Sequence, residues 1–145
     1  MLLIGGGARR QQVYRLIADY DRHHPRFLPP AFSQFRVEAG GVGAGTVHSF
    51  KMTAGGRARS FRMRVDEPEP GRVLTESDER SSTVTTWVVT PDGPGCQVRV
   101  ETRWQGAGGG IGGLFERLFA PRVLRRLYAE ELERLDRYAR TVPPG

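Results

Sequence analysis

The sequence predicts an α+β fold: a curved antiparallel sheet of about seven strands wrapped around one long C-terminal helix. Three observations predict it. Between Phe32 and Trp104 the apolar residues recur at every second position, in six runs separated by glycine and proline. A helical period precedes these runs, over Ala8–Tyr20. A second and longer one, from about Gly113 to Thr141, ends the chain and is the only element large enough to cover the apolar side of such a sheet.

Met1–Ile4 is a short apolar stretch, room for a brief first strand that would leave a weak sheet edge. Gly5–Gly7 turn the chain into the first helix, where Val13, Tyr14, Leu16, Ile17 and Tyr20 share a face. Pro25, Pro29 and Pro30 then rule out a long helix, so one short helical turn followed by extended chain is expected. The strand candidates are Phe32–Glu38, Gly45–Thr53, Ala58–Val65, Arg72–Asp78, Ser82–Thr90 and Gln97–Trp104. Their hairpin spacing makes the sheet antiparallel.

Alternation divides each strand into two faces. One face takes His48, Phe50 and Met52; Phe61, Met63 and Val65; Thr85, Trp87 and Val89; and Val98, Val100, Thr102 and Trp104. The other takes Arg62, Arg64, Arg99 and Arg103, expected in solvent, with pairs to Glu101 worth only about 0–1 kcal/mol each. The apolar face is the one the final helix must cover. Pro121 falls inside that helical pattern, so the helix is expected to bend or restart there.

At 145 residues the chain is read as a single domain, 1–145, with one core. No run approaches the roughly 18–20 apolar residues of a membrane helix, and nothing reads as a signal peptide, so a cytoplasmic location is expected. Cys96 is the only cysteine, which excludes an intrachain disulfide and a cysteine metal cluster. The formal charge is +6, carried almost wholly by arginine, since Lys51 is the only lysine. The arginines are scattered and many have acidic neighbours, unlike the clustered, aromatic-interleaved footprint of a nucleic-acid binder.

Several motifs invite chemistry. Gly108-x-Gly110-x-x-Gly113 matches a dinucleotide fingerprint, but the helix after it ends the chain and no parallel strand follows to carry the ribose-binding acid. The run Gly106–Gly113 reads instead as a loose loop suited to gating a cavity. His23 and His24 with Asp19 and Asp21 read as a solvated loop rather than a metal site. Ser81 and Ser82 lack a nucleophile-elbow setting. No metal and no cofactor is expected.

Several segments together resemble one family. Val13-Tyr14-Arg15-Leu16-Ile17-Ala18-Asp19-Tyr20 looks like its first helix. Gly43-Ala44-Gly45-Thr46-Val47 looks like its glycine-rich lead into a strand. Val65-Asp66-Glu67-Pro68-Glu69-Pro70-Gly71-Arg72 looks like its Val-x-Glu-x-x-Pro-Gly-Arg hairpin, and Thr85–Pro91 and Leu132-x-x-Leu135 also fit. The chain thus resembles the START-like SRPBCC superfamily, the polyketide cyclase/dehydrase and lipid-transport type, whose architecture is the helix-grip fold. The resemblance implies an apolar cavity between sheet and helix.

The expected cavity follows from the inner face: Phe50, Phe61, Met63, Trp87, Val100 and Trp104, closed by Phe115 and Phe119, with His48, Glu76, Thr85 and Thr102 as its polar groups. Its expected volume is roughly 300–1,000 Å³. His48 and Glu76 are the catalytic candidates, since an imidazole and a carboxyl facing one cavity can move protons. They lie two strands apart, about 10 Å, so a direct pair between them is not expected. For Glu76 and Asp78, an inward position and the sheet's exposed end both fit the pattern. Three functions fit: a carrier or sensor of a hydrophobic or amphipathic small molecule, a cyclase- or dehydratase-like enzyme using His48, and a module whose Arg-rich outer face meets an acidic protein partner.

Overall fold

The computed structural model describes residues 2–4, 9–54, 56–104 and 121–143. Its elements follow the sequence periods closely. They are β1 (Leu2–Ile4), α1 (Arg10–Ala18), a 3-10 turn (His24–Phe27), β2 (Phe32–Ala39), β3 (Val47–Ala54), β4 (Arg57–Glu69), β5 (Val73–Asp78), β6 (Val84–Asp92), β7 (Gly95–Arg103) and α2 (Pro121–Thr141). The sheet is antiparallel and curved, in the order β1-β7-β6-β5-β4-β3-β2. Six strands run six to thirteen residues, and the seventh, β1, is a three-residue edge that pairs with Cys96–Val98 of β7. None of the described helices is long and apolar enough to cross a membrane.

The inner face expected from alternation is the buried one. Phe50, Met52, Phe61 and Met63 gather with Leu124 and Leu127 of α2 at one end of the sheet. Val65, Leu74, Trp87, Val89 and Val98 gather with α1, Phe27, Leu132 and Leu135 at the other. Arg62, Arg64, Arg99 and Arg103 are exposed. Arg103 pairs with Glu101, while Arg62 turns instead to Glu38 and Glu79.

The motifs that carry the resemblance have a structural job. Glu67 Oε1 accepts the Ala44 N–H at 2.7 Å, and Glu67 Oε2 accepts the Tyr14 hydroxyl at 3.1 Å. One carboxylate thereby ties α1 and the loop before β3 to the β4–β5 hairpin. Gly43 passes so close that a β-carbon there would lie 2.0 Å from Glu67 Oε1, at a backbone φ of +69°. Only glycine fits that turn.

Two expectations change. β4 does not stop at Val65 but runs through Pro68 to Glu69, with a register shift between Asp66 and Glu69. A bulge tolerates proline because it frees the chain from an unbroken ladder of N–H bonds. His24 is not in a solvated loop: it is 2% exposed. The 3-10 turn folds it under the sheet, where its Nδ1–H donates to the Ile17 carbonyl at 2.7 Å. The described part of α2 runs from Pro121 to Thr141, and the bend or restart expected at Pro121 turns on residues that lie outside the described ones. The expected Gly-rich gate, Phe115 and Phe119 lie outside the described residues.

Candidate functional site

β3 to β6 curve away from α2 at one point and leave a cavity between them. Its apolar wall comes from Phe50 and Met52 of β3, Phe61 and Met63 of β4, Trp87 of β6, and Leu28, Phe32 and Phe35 leading into and along β2. Its polar groups are His24, His48, Glu76, Thr83, Thr85, Thr102, Tyr128 and Glu131. The volume is about 40 Å³. That is room for two or three waters, far below the expectation of several hundred. Close packing of Leu28, Phe32 and Phe35 against the sheet fills the concavity that curvature alone would open.

His48 and Glu76 are paired, contrary to the sequence expectation. His48 Nε2 stands 3.0 Å from Glu76 Oε2. The concave face tilts side chains toward one another, so their tips meet although their backbones lie two strands apart. Glu76 is 7% exposed and accepts two further bonds: Trp87 Nε1–H donates to Oε1 at 2.7 Å and the Tyr20 hydroxyl to Oε2 at 3.0 Å. Asp78 is buried too, so neither carboxylate sits at an exposed end.

Burial alone would raise the Glu76 carboxyl. The His48 bond and charge, the His24 charge and the Trp87 donor outweigh it and hold the group at about 2. Glu76 is therefore a fixed carboxylate. A carboxylate facing Nε2 requires a proton on that nitrogen, which leaves the Nδ1 of a neutral His48 as an acceptor. His48 Nδ1 is buried and has no hydrogen-bond partner among the described residues.

A second pair stands beside the first. His24 Nε2 is 3.7 Å from Glu131 Oε2 of α2, both side chains 3% exposed. Burial pulls the His24 imidazole down, but Glu131 beside it and the charges of Glu76 and Glu131 more than offset this and raise it. Burial raises the Glu131 carboxyl against the opposing pull of His24. With Nδ1–H committed to Ile17, His24 turns Nε2 toward the Glu131 carboxyl. Tyr20 joins the two pairs, stacking on His24 at 4.5 Å and on His48 at 4.4 Å. The imidazoles lie 6.5 Å apart. On the helix side, Thr85, Thr102 and Tyr128 form a connected set of hydroxyls.

Of the residues expected from sequence, His48, Phe50, Phe61, Met63, Glu76, Thr85, Trp87 and Thr102 line the cavity. Val100 packs instead against the core beneath α1, and Trp104 against the Phe50 cluster. Thr102, between them on the same face, is the residue of this segment that reaches the cavity. His24, Leu28, Phe32, Phe35, Thr83, Tyr128 and Glu131 were not anticipated. Glu131 had a readable signal, a lone carboxylate in the stripe Leu124, Leu127, Leu135. The remaining members of the earlier His-Asp group go elsewhere: His23 Nδ1 meets the Tyr138 hydroxyl, and Asp19 caps the N–H groups of Asp21 and Arg22.

Known proteins share this architecture. Residues 7–140 match the family described as Polyketide cyclase / dehydrase and lipid transport. The solution structure of KanY protein (ms6282) is 36% identical, with a TM-score of 0.82, over 96% of this chain and 93% of that one. TTHA0849 from Thermus thermophilus is 21% identical, with a TM-score of 0.70, over 92% and 90%. The di-domain ARO/CYC StfQ from the steffimycin biosynthetic pathway is 18% identical with a TM-score of 0.66; the match takes in 96% of this chain and 48% of that one. The last two likenesses show the fold alone. Comparison with curated proteins yields no match.

Proposed function

The chain belongs to the polyketide cyclase / dehydrase and lipid transport family, and from that premise we propose that it binds a hydrophobic or amphipathic small molecule in this cavity. His48 Nδ1 is the polar contact offered to that molecule. The observation that carries the reading is this buried nitrogen, without a partner among the described residues and beside a wall of aromatic and thioether groups. An unsatisfied buried acceptor costs about 1–3 kcal/mol, a penalty that a ligand hydroxyl would remove. Uptake requires the wall to open. Leu28, Phe32 and Phe35 are the groups to move, because β2 is a free edge of the sheet while β3 to β6 are paired on both sides.

Titration with dodecanol, followed by tryptophan fluorescence, tests it. Saturable change in the signal of Trp87 is expected, weakened at least about fivefold by His48→Phe. Absence of saturation in the wild type would remove the cavity-binding reading.

A second reading, proton-transfer catalysis, is favoured by one arrangement. Glu76 fixes the tautomer of His48 while the adjacent His24–Glu131 pair holds a proton, so a base and an acid face one space. His48 Nδ1 would take the proton from a carbon beside a ketone, and the His24–Glu131 pair would give one to the ketone oxygen, forming the enol. Incubating the protein with 2-tetralone in D₂O and following loss of the α-proton NMR signal separates the readings. Exchange above buffer that His48→Gln abolishes supports catalysis; exchange at the buffer rate leaves a binding protein.

A further inference from the structure

We infer that the cavity rim carries a carboxylate-binding site centred on Arg59, so that the ligand is an amphipathic acid whose chain enters the cavity and whose head group stays on the guanidinium. The inference rests on the cavity-binding reading above and names the head group of its ligand.

Arg59 lies on the inner parity of β4, two residues before Phe61 and four before Met63, and its cross-strand partner is Met52. All three of those neighbours are cavity wall. Its side chain does not turn out to solvent, being 12% exposed. The guanidinium lies over the Phe61 ring, 5.0 Å from its centroid. That contact holds the guanidinium against the wall, where its N–H groups can meet a planar acceptor.

The available protein partner does not use that edge. Asp78 is the nearest carboxylate, and its Oδ2 stands 3.8 Å from Nη2, beyond hydrogen-bond distance. Asp78 already accepts from the Arg62 N–H at 3.2 Å and from the Ser81 hydroxyl at 2.6 Å. Arg59 Nη1 is buried with no hydrogen-bond partner among the described residues. A cation kept against residues of the cavity wall, balanced in charge but with an unused donor, is unfavourable for folding alone. A carboxylate is the planar, two-oxygen acceptor that a guanidinium edge binds in parallel. The wall beneath it, Phe61, Met63 and Met52, receives an alkyl or aryl chain.

The experiment compares dodecanoate with dodecanol, which share the same chain, by calorimetric titration at pH 7.5. The acid is expected to bind at least about tenfold more tightly in the wild type, the range of a charge-assisted hydrogen bond. In Arg59→Gln the ratio should fall to near one. Since that change leaves Asp78 without its cation, the double variant Arg59→Gln/Asp78→Asn repeats the test with the local charge balanced. Circular dichroism checks that both variants are folded. Equal affinity for acid and alcohol in the wild type, or an acid preference that survives in the folded double variant, overturns the inference alone. Failure of both molecules to bind overturns it together with the cavity reading.

Discussion

At the scale of the residue, Glu76 decides the electrostatics of the site. Its carboxyl lies at about 2 against an ordinary 4.5, so the folded protein favours the ionised form. That preference contributes stability above pH 4.5 and loses it as the pH falls from there toward 2, a displacement equivalent to about 3 kcal/mol. Glu76→Gln should therefore destabilise the protein at pH 7, and the gap between variant and wild type should close as the pH approaches 2. Urea unfolding at a series of pH values reads it; a gap independent of pH would show that Glu76 acts by packing. His24 has the opposite sign. Its raised imidazole contributes stability that is complete below 6.5 and lost as the pH rises through its folded value. Of the two His-Glu pairs, neither was legible as a pair in the sequence. His48 and Glu76 were visible as inward residues by alternation, but the contact between them depends on how far the sheet bends.

At the scale of the element, two turns divide steric from conformational cost. Gly43 and Gly45 both have positive φ, +69° and +92°. A β-carbon at Gly43 would strike Glu67 Oε1, whereas one at Gly45 meets nothing within 4 Å. Gly45→Ala should cost only the left-handed conformation, about 1–2 kcal/mol. Gly43→Ala adds the loss of the Glu67 bonds to Ala44 and Tyr14, about 1–3 kcal/mol more. Thermal unfolding of the two variants tests the order, and equal losses would remove Glu67 from its anchoring role. In β2, Gln34 is the described non-glycine residue with positive φ, +54°, inside the register shift between Ser33 and Arg36. Gln34→Gly should relieve about 1–2 kcal/mol of backbone strain against about 0.5–1 kcal/mol of chain entropy. A net gain of up to about 1 kcal/mol in unfolding stability is expected. A loss would mean that the Gln34 side chain holds the bulge in place.

At the scale of the whole molecule, the cavity is a small remainder between two well-packed clusters. Met63 is 5% exposed and faces about 40 Å³ of space. Met63→Trp therefore overfills it, at a cost of about 1–3 kcal/mol in stability. The same variant should lose dodecanol binding while still unfolding cooperatively. Binding retained at wild-type affinity would place the ligand elsewhere on the molecule.

The hairpin order of β2 to β7, the buried faces of β3, β4, β6 and β7 and the covering helix follow from local rules. Alternation, glycine-proline breaks and a 3.6-residue stripe act over a few residues and are written directly in the chain. The Val65–Arg72 and Gly43–Val47 segments were equally readable, and the fold shows why: they bind each other through Glu67. Tertiary structure alone decided the pairing of His48 with Glu76, the burial of His24 against Glu131, the guanidinium of Arg59 folded over Phe61, and the size of the cavity. Each depends on sheet curvature and on where distant segments pack, over distances that no periodicity along the chain encodes.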